Sequence, residues 1–164
     1  MNSLAAFSLS ATLAVALASL PGSTVAQQRS LKDQLVGAWT LVSCDAPYCV
    51  DTNPSGILII DGSGRYAQVA ASRGRPKFST GNRPAAPAEE YKAAAMGLVA
   101  NYGTWLVNEA DKTITTHIEG ALFPNVEGAD VKSTVSLSGD ELKLIGPSPL
   151  VPGRRTEEVY QRAK

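Results

Sequence analysis

At 164 residues the chain has the length of one domain, and its 15 Lys and Arg balance 15 Asp and Glu. That balance excludes a nucleic-acid binder, which needs a basic excess to neutralise phosphates. It also excludes an acidic tail or a charge-driven disordered chain.

The run from Leu4 to Leu20 is nearly all Ala, Leu, Ser, Val and Phe and carries no charged side chain. Pro21 and Gly22 end it, and Thr24-Val25-Ala26 sets small residues just before the polar Gln27-Gln28-Arg29. This is the pattern of a secretory signal peptide over 1–26, cut after Ala26, with 27–164 as the mature domain. No Lys or Arg precedes the apolar run, so only the α-amine supplies positive charge there. The run also falls slightly short of the ~20 residues a membrane span needs. The expectation is a secreted protein, extracellular or periplasmic, with no stable membrane span after processing. What remains is long enough to bury a real core.

Cys44 and Cys49 are the only cysteines. An even count in an exported chain points to a disulfide, here closing a small ring around Asp-Ala-Pro-Tyr. Two free thiols are the alternative if the chain is not exported. Zinc fits poorly, because one Cys pair with a distant single His lacks a second ligand pair. No metal and no cofactor is expected.

From residue 31 onward the chain breaks into short segments separated by turn signals. Leu35 to Ser43 reads as a first strand and Gly56 to Ile60 as a second. Asp61-Gly62-Ser63-Gly64 turns the chain into Arg65 to Ser72. Pro87 to Ala100 differs: it is rich in Ala, with Glu89 and Glu90 where the first turn of a helix favours negative charge. Tyr91, Ala95, Leu98 and Tyr102 fall at helical spacing and predict one packed face, although Gly97 weakens the last turn. Ahead of this helix, Arg73, Arg75, Lys77 and Arg83 stand in a long loop without an acid. The further strands are Gly103 to Asn108, Thr113 to Glu119, Asp130 to Leu137, Glu141 to Ile145 and Arg155 to Gln161. Eight strands mostly joined by tight turns predict an all-β antiparallel barrel or sandwich, and a barrel removes exposed edges.

Gly37-Ala38-Trp39 opens the first strand and Tyr160-Gln161-Arg162 ends the last. Gly-x-Trp at that position resembles lipocalin-type barrels, in which the Trp plugs one end and an Arg of the last strand commonly stacks on it. A wider similarity is to a bacterial and fungal group of lipocalin-like domain proteins. It is carried in order by LVGAWTLVS at 35–43, NPSGILIIDGSGRYA at 53–67 and RPKFSTGNRPAAPAEEYKAA at 75–94. ANYGTWLVNEADKTITTHIEGALFPN at 100–125 and VYQRA at 159–163 complete it. The resemblance implies an eight-stranded lipocalin-like barrel with one helix between the third and fourth strands. It implies no shared catalytic motif. The chain departs from the group after Pro124-Asn125, where Val126-Glu127-Gly128 and Lys132-Ser133 replace an aromatic, Gly and basic residues. The Cys44/Cys49 loop likewise replaces a longer loop without Cys.

Three functions remain open from the residues. The first is a module that binds a small hydrophobic or amphipathic ligand, with Tyr66, Tyr102, Trp105, His117, Glu119 and Phe123 as candidate site residues. A basic rim of Arg73, Arg75, Lys77 and Arg83 would then favour an acidic head group, against the simpler reading of a solvated loop. The second is an isomerase or cyclase on the same barrel, using His117 and Glu119 as an acid–base pair. They lie two apart on one strand face, and a carboxylate beside a His tunes it toward proton transfer. Alternation sets Ile114, Thr116 and Ile118 on the opposite, apolar face, which argues for His117 and Glu119 on the outside. The third is a barrel filled by its own Trp105, Tyr66, Tyr102 and Phe123, with a structural or interaction role.

Overall fold

A computed structural model describes residues 29–46 and 54–164. The expected leader at 1–26, and Cys49 of the expected disulfide, lie outside the described residues.

The chain begins with a five-residue helix, α1 (Leu31–Leu35), followed directly by β1 (Gly37–Cys44). The strands β2 (Ser55–Ile60) and β3 (Arg65–Ala71) form a hairpin. A longer connection carries α2 (Ala88–Met96) to β4 (Leu98–Asn108). Then come β5 (Thr113–Ala121), β6 (Asp130–Ser138), β7 (Glu141–Pro147) and β8 (Arg155–Arg162). Each strand pairs antiparallel with the next, and β8 returns to β1 through pairs from Trp39↔Arg162 to Cys44↔Glu158. The sheet is therefore a closed eight-stranded barrel, with no open edge.

Two boundaries differ from the sequence expectation. Leu35 ends a helix instead of starting a strand. The Ser30 side chain caps that helix by accepting from the Asp33 amide, and the Glu109 carboxylate accepts from the Leu31 and Lys32 amides at 2.9 Å each. Glu109 sits in the β4–β5 turn, so this cap is a tertiary contact that local sequence does not display. The second helix stops at Met96, and Leu98 to Ala100 belong to β4, where they pair with β3. The proposed face of Tyr91, Ala95, Leu98 and Tyr102 is thus divided between helix and strand. Gly97 ends the helix, and the ladder offers Leu98 and Val99 backbone partners that a last helical turn cannot match.

Strand alternation fixes what points inward. Trp39 and Leu41, Leu58 and Ile60, Ile114 and Ile118, and Leu142 are all buried at a spacing of two or four. One barrel end is closed by α1 and Trp39. The Trp39 indole N–H donates to the Leu35 carbonyl at 2.8 Å, and the Arg162 guanidinium lies 4.1 Å from the ring centre. Arg162 also donates to the carbonyls of Gln34 (2.6 Å) and Val36 (3.2 Å), which ties the helix end to the last strand. Trp39, Leu41, Trp105, Val135, Leu142 and Tyr160 fill this end as one core.

One bulge changes the sides of β5 near its end. The register passes from Tyr102↔Gly120 to Gly103↔Ile118, leaving Glu119 without a partner. The backbones approach so closely there that a Cβ on Gly103 would overlap the His117 carbonyl oxygen. Beyond the bulge, Ala121 faces inward and Gly120 lies beneath the Tyr102 ring, 2.6 Å from where its Cβ would stand.

Candidate ligand-binding cavity

The open half of the barrel contains a cavity of about 440 Å³. Its wall is built from inward positions of the strands: Leu58 and Ile60 of β2, Tyr66 and Gln68 of β3, Val99 and Asn101 of β4. Ile114, Thr116 and Ile118 of β5 face them, with Val131, Ser133, Leu144 and Glu158 closing the circuit. The mouth is bordered by Ala95 and Met96 at the end of α2, Leu122 and Phe123 after β5, and Pro149 to Val151 before β8. Met96, Leu122 and Phe123 both line the cavity and expose large apolar surface to solvent. The rim is therefore as apolar as the wall.

Several polar side chains of the wall form one connected network. Gln68 Nε2 donates to both Glu158 oxygens, at 3.1 and 3.2 Å, and to the Tyr160 hydroxyl at 2.9 Å. Tyr160 in turn donates to Glu158 Oε2 at 2.9 Å, and Asn101 Nδ2 donates to Gln68 Oε1 at 3.3 Å. Glu158 is buried. Gln68 reaches it across the barrel interior, because β3 and β8 are separated by β1 and β2 in the ladder. A buried carboxylate needs such donors.

Tyr66 is a further polar residue of the wall, alongside Thr116, Ser133, Ser148 and Thr156. Its buried hydroxyl makes no hydrogen bond among the described residues. Burial pushes the phenol up to about 12; the neighbouring Thr116 works against this and the Glu119 charge adds to it. Thr116 directs its own hydroxyl at the Val131 carbonyl, 3.5 Å away, and does not meet Tyr66 in hydrogen-bonding geometry.

The residues singled out from sequence fall into three places. Tyr66 and Phe123 stand on the cavity, at the wall and the mouth. Trp105 is buried in the closed-end core, its indole N–H donating to the Asp61 carbonyl at 2.9 Å, and it does not line the cavity. Tyr102, His117 and Glu119 are on the outer surface. Tyr102 is half exposed over Gly120. His117 Nδ1 lies 2.7 Å from Asp130 Oδ1, and Glu119 takes the Arg65 guanidinium at 2.6 Å. That ion pair holds the Glu119 carboxyl below its usual range. The reason for the outward placement is parity: Ile114, Thr116 and Ile118 occupy the inner face, which leaves His117 and Glu119 on the outer one. His117 and Glu119 thus have separate surface partners and no access to the cavity. A filled interior is excluded by the cavity itself, since Trp105 and Tyr102 lie elsewhere.

None of Arg73, Arg75, Lys77 and Arg83 lines the cavity. Arg75 folds its stem over Gly97 and donates to the Ser72 carbonyl at 3.2 Å. Gln68, Asn101 and Glu158 were not among the candidates from sequence. The available signal was parity, since Glu158 lies two residues before Tyr160 and four before Arg162 on the last strand. Among the described residues no three His, Cys, Asp or Glu gather as a metal site would require. No helix among them is long and apolar enough to cross a membrane.

Comparison with known proteins gives the following. The family model described as "Lipocalin-like domain" matches residues 36–158. No curated protein matches the chain. Among solved structures, the crystal structure of a variant of the fluorescent protein UnaG is similar at 12% sequence identity and a TM-score of 0.36, covering 80% of this chain and 97% of that one.

Proposed function

The chain belongs to the lipocalin-like domain family, and from that premise we propose that it is a binding module which takes a small hydrophobic or amphipathic ligand into the open half of its barrel. One observation carries the reading: a largely apolar cavity of about 440 Å³ whose mouth is bordered by exposed Met96, Leu122 and Phe123. A volume of ~300–1,000 Å³ with a few placed polar groups is what a small-molecule site needs. Exposed apolar side chains at such a mouth cost solvation in the free protein and are covered when an apolar ligand enters. The closed end contributes rigidity and no ligand contact.

The same proposal includes export. The uncharged apolar run from Leu4 to Leu20 and the small residues before Gln27 support a cleaved leader, and a carrier for a poorly soluble compound fits an extracellular or periplasmic setting. The binding reading is tested with a neutral environment-sensitive dye such as Nile red. The protein is expected to bind it with enhanced emission. The Ala121→Trp variant, which places an indole in the cavity near the mouth, should fold and lose that binding. Equal dye binding by a folded Ala121→Trp protein would show that the dye sits elsewhere and would remove the support.

A further inference from the structure

We propose that the cavity selects a hydrophobic amine over the matching acid, with Glu158 as the counter-charge for the ligand's head group; this rests on the binding reading above and specifies its ligand class.

Among the described residues lining the cavity, Glu158 is the only Asp, Glu, Lys, Arg or His. The four basic residues of the β3–β4 connection are absent from the wall, so the acidic head group suggested by that loop meets no cation inside. An acid entering the cavity would bring a second negative charge toward a buried carboxylate, in surroundings that screen it poorly. An ammonium would meet the opposite sign.

The hydrogen-bond directions around Glu158 add to the case. Asn101 holds the Gln68 carbonyl oxygen, which orients the Gln68 amide so that its NH₂ faces the carboxylate. Tyr160 gives its proton to the same group. Donors from two strands, Gln68 of β3 and Tyr160 of β8, thus converge on the Glu158 carboxylate. Gln68 and Asn101 are themselves on the cavity wall beside it, so a ligand's polar end meets amide groups as well as the charge. The rest of the wall and the rim are mostly apolar, with the uncharged Tyr66, Thr116, Ser133, Ser148 and Thr156 interspersed, and suit an alkyl or aryl body.

The experiment is competition for bound Nile red by octylamine, octanol and octanoate near neutral pH, where a primary amine of pKa ~10 is protonated. Octylamine should displace the dye at a concentration at least about tenfold below that of octanoate, with octanol between them. The preference should survive added salt, because a pair inside the barrel is poorly screened. Glu158→Gln should abolish the difference between amine and acid while leaving octanol unchanged. The ranking on the unaltered protein decides the matter even if that variant does not fold. Octanoate displacing as well as octylamine overturns the proposal, as does an amine preference that persists in folded Glu158→Gln. If octanol and octanoate displace the dye without any amine preference, the binding module stands and only its charge selection falls. If Nile red does not bind at all, both readings fall together.

Discussion

Replacing Trp39 with Ala tests how the barrel is closed. The side chain is completely buried beneath α1, and it holds three different contacts. Its apolar area comes first: a buried Trp removes ~150–250 Å² from water, worth about 4–6 kcal/mol at ~25 cal/mol per Å². Relaxation of neighbours recovers some of this, so large aromatic truncations in cores measure about 3–5 kcal/mol. The indole N–H bond to Leu35 adds about 1 kcal/mol, and the Arg162 stack about 0.5–2 kcal/mol. These terms overlap, because Arg162 keeps its bonds to the Gln34 and Val36 carbonyls after the ring is gone. The expected loss is therefore about 3–5 kcal/mol. Urea unfolding followed by far-ultraviolet circular dichroism reads it directly. With a slope of about 2 kcal/mol per molar, the midpoint should fall by about 2 M. Trp39→Phe keeps most of the bulk and should cost only about 1–2 kcal/mol, mainly through the hydrogen bond. A loss within ~0.5 kcal/mol for Trp39→Ala is what an ordinary surface site gives, and it would refute the closed-end packing described above.

Gly103→Ala should destabilise by about 3 kcal/mol or prevent folding, because the new methyl overlaps the His117 carbonyl at the bulge; a protein that melts unchanged would contradict that close approach. Tyr66→Phe removes a buried hydroxyl that has no hydrogen-bond partner, so stability at neutral pH should be unchanged or rise by about 1 kcal/mol. The same variant tests the pH dependence. A phenol raised from 10.0 to about 12 on folding contributes stability that is intact below the unfolded value and is lost as pH rises through that window. The alkaline decline should therefore be shallower in Tyr66→Phe, and identical alkaline profiles would deny the shift. The Cys44–Cys49 bridge is expected to leave no titratable thiol in the unreduced, unfolded protein and to contribute about 2 kcal/mol, as for a small ring; two reactive thiols would contradict it. Intact-mass measurement of the exported protein should find a chain beginning at Gln27, whereas full-length protein recovered in a membrane would refute cleavage.

Much of the barrel was legible because its causes are local. Alternating apolar residues and Gly-rich turns place a strand and its reversal within a few residues of each other, and all eight strands were located on that basis. Trp39 and Arg162 were linked by the family resemblance, and the structure stacks them. The apolar inner face of β5 was readable as well, since Ile114, Thr116 and Ile118 alternate without interruption. Tertiary structure decided the rest. The helical end of α1 depends on Glu109 from a turn 77 to 78 residues away. The start of β4 at Leu98 depends on hydrogen bonds offered by β3. The outward place of Gly120 and the inward place of Ala121 depend on one bulge, which shifts parity in the middle of a pattern that otherwise reads as regular. The site itself was least visible. Gln68 and Glu158 lie 90 positions apart and meet only because closure brings β3 and β8 to facing sides of one interior. A polar residue at an inward position looks, in sequence, like a defect in a strand. Only the closed sheet shows that it faces a partner and a cavity, because burial and charge pairing are properties of the whole barrel and not of any strand within it.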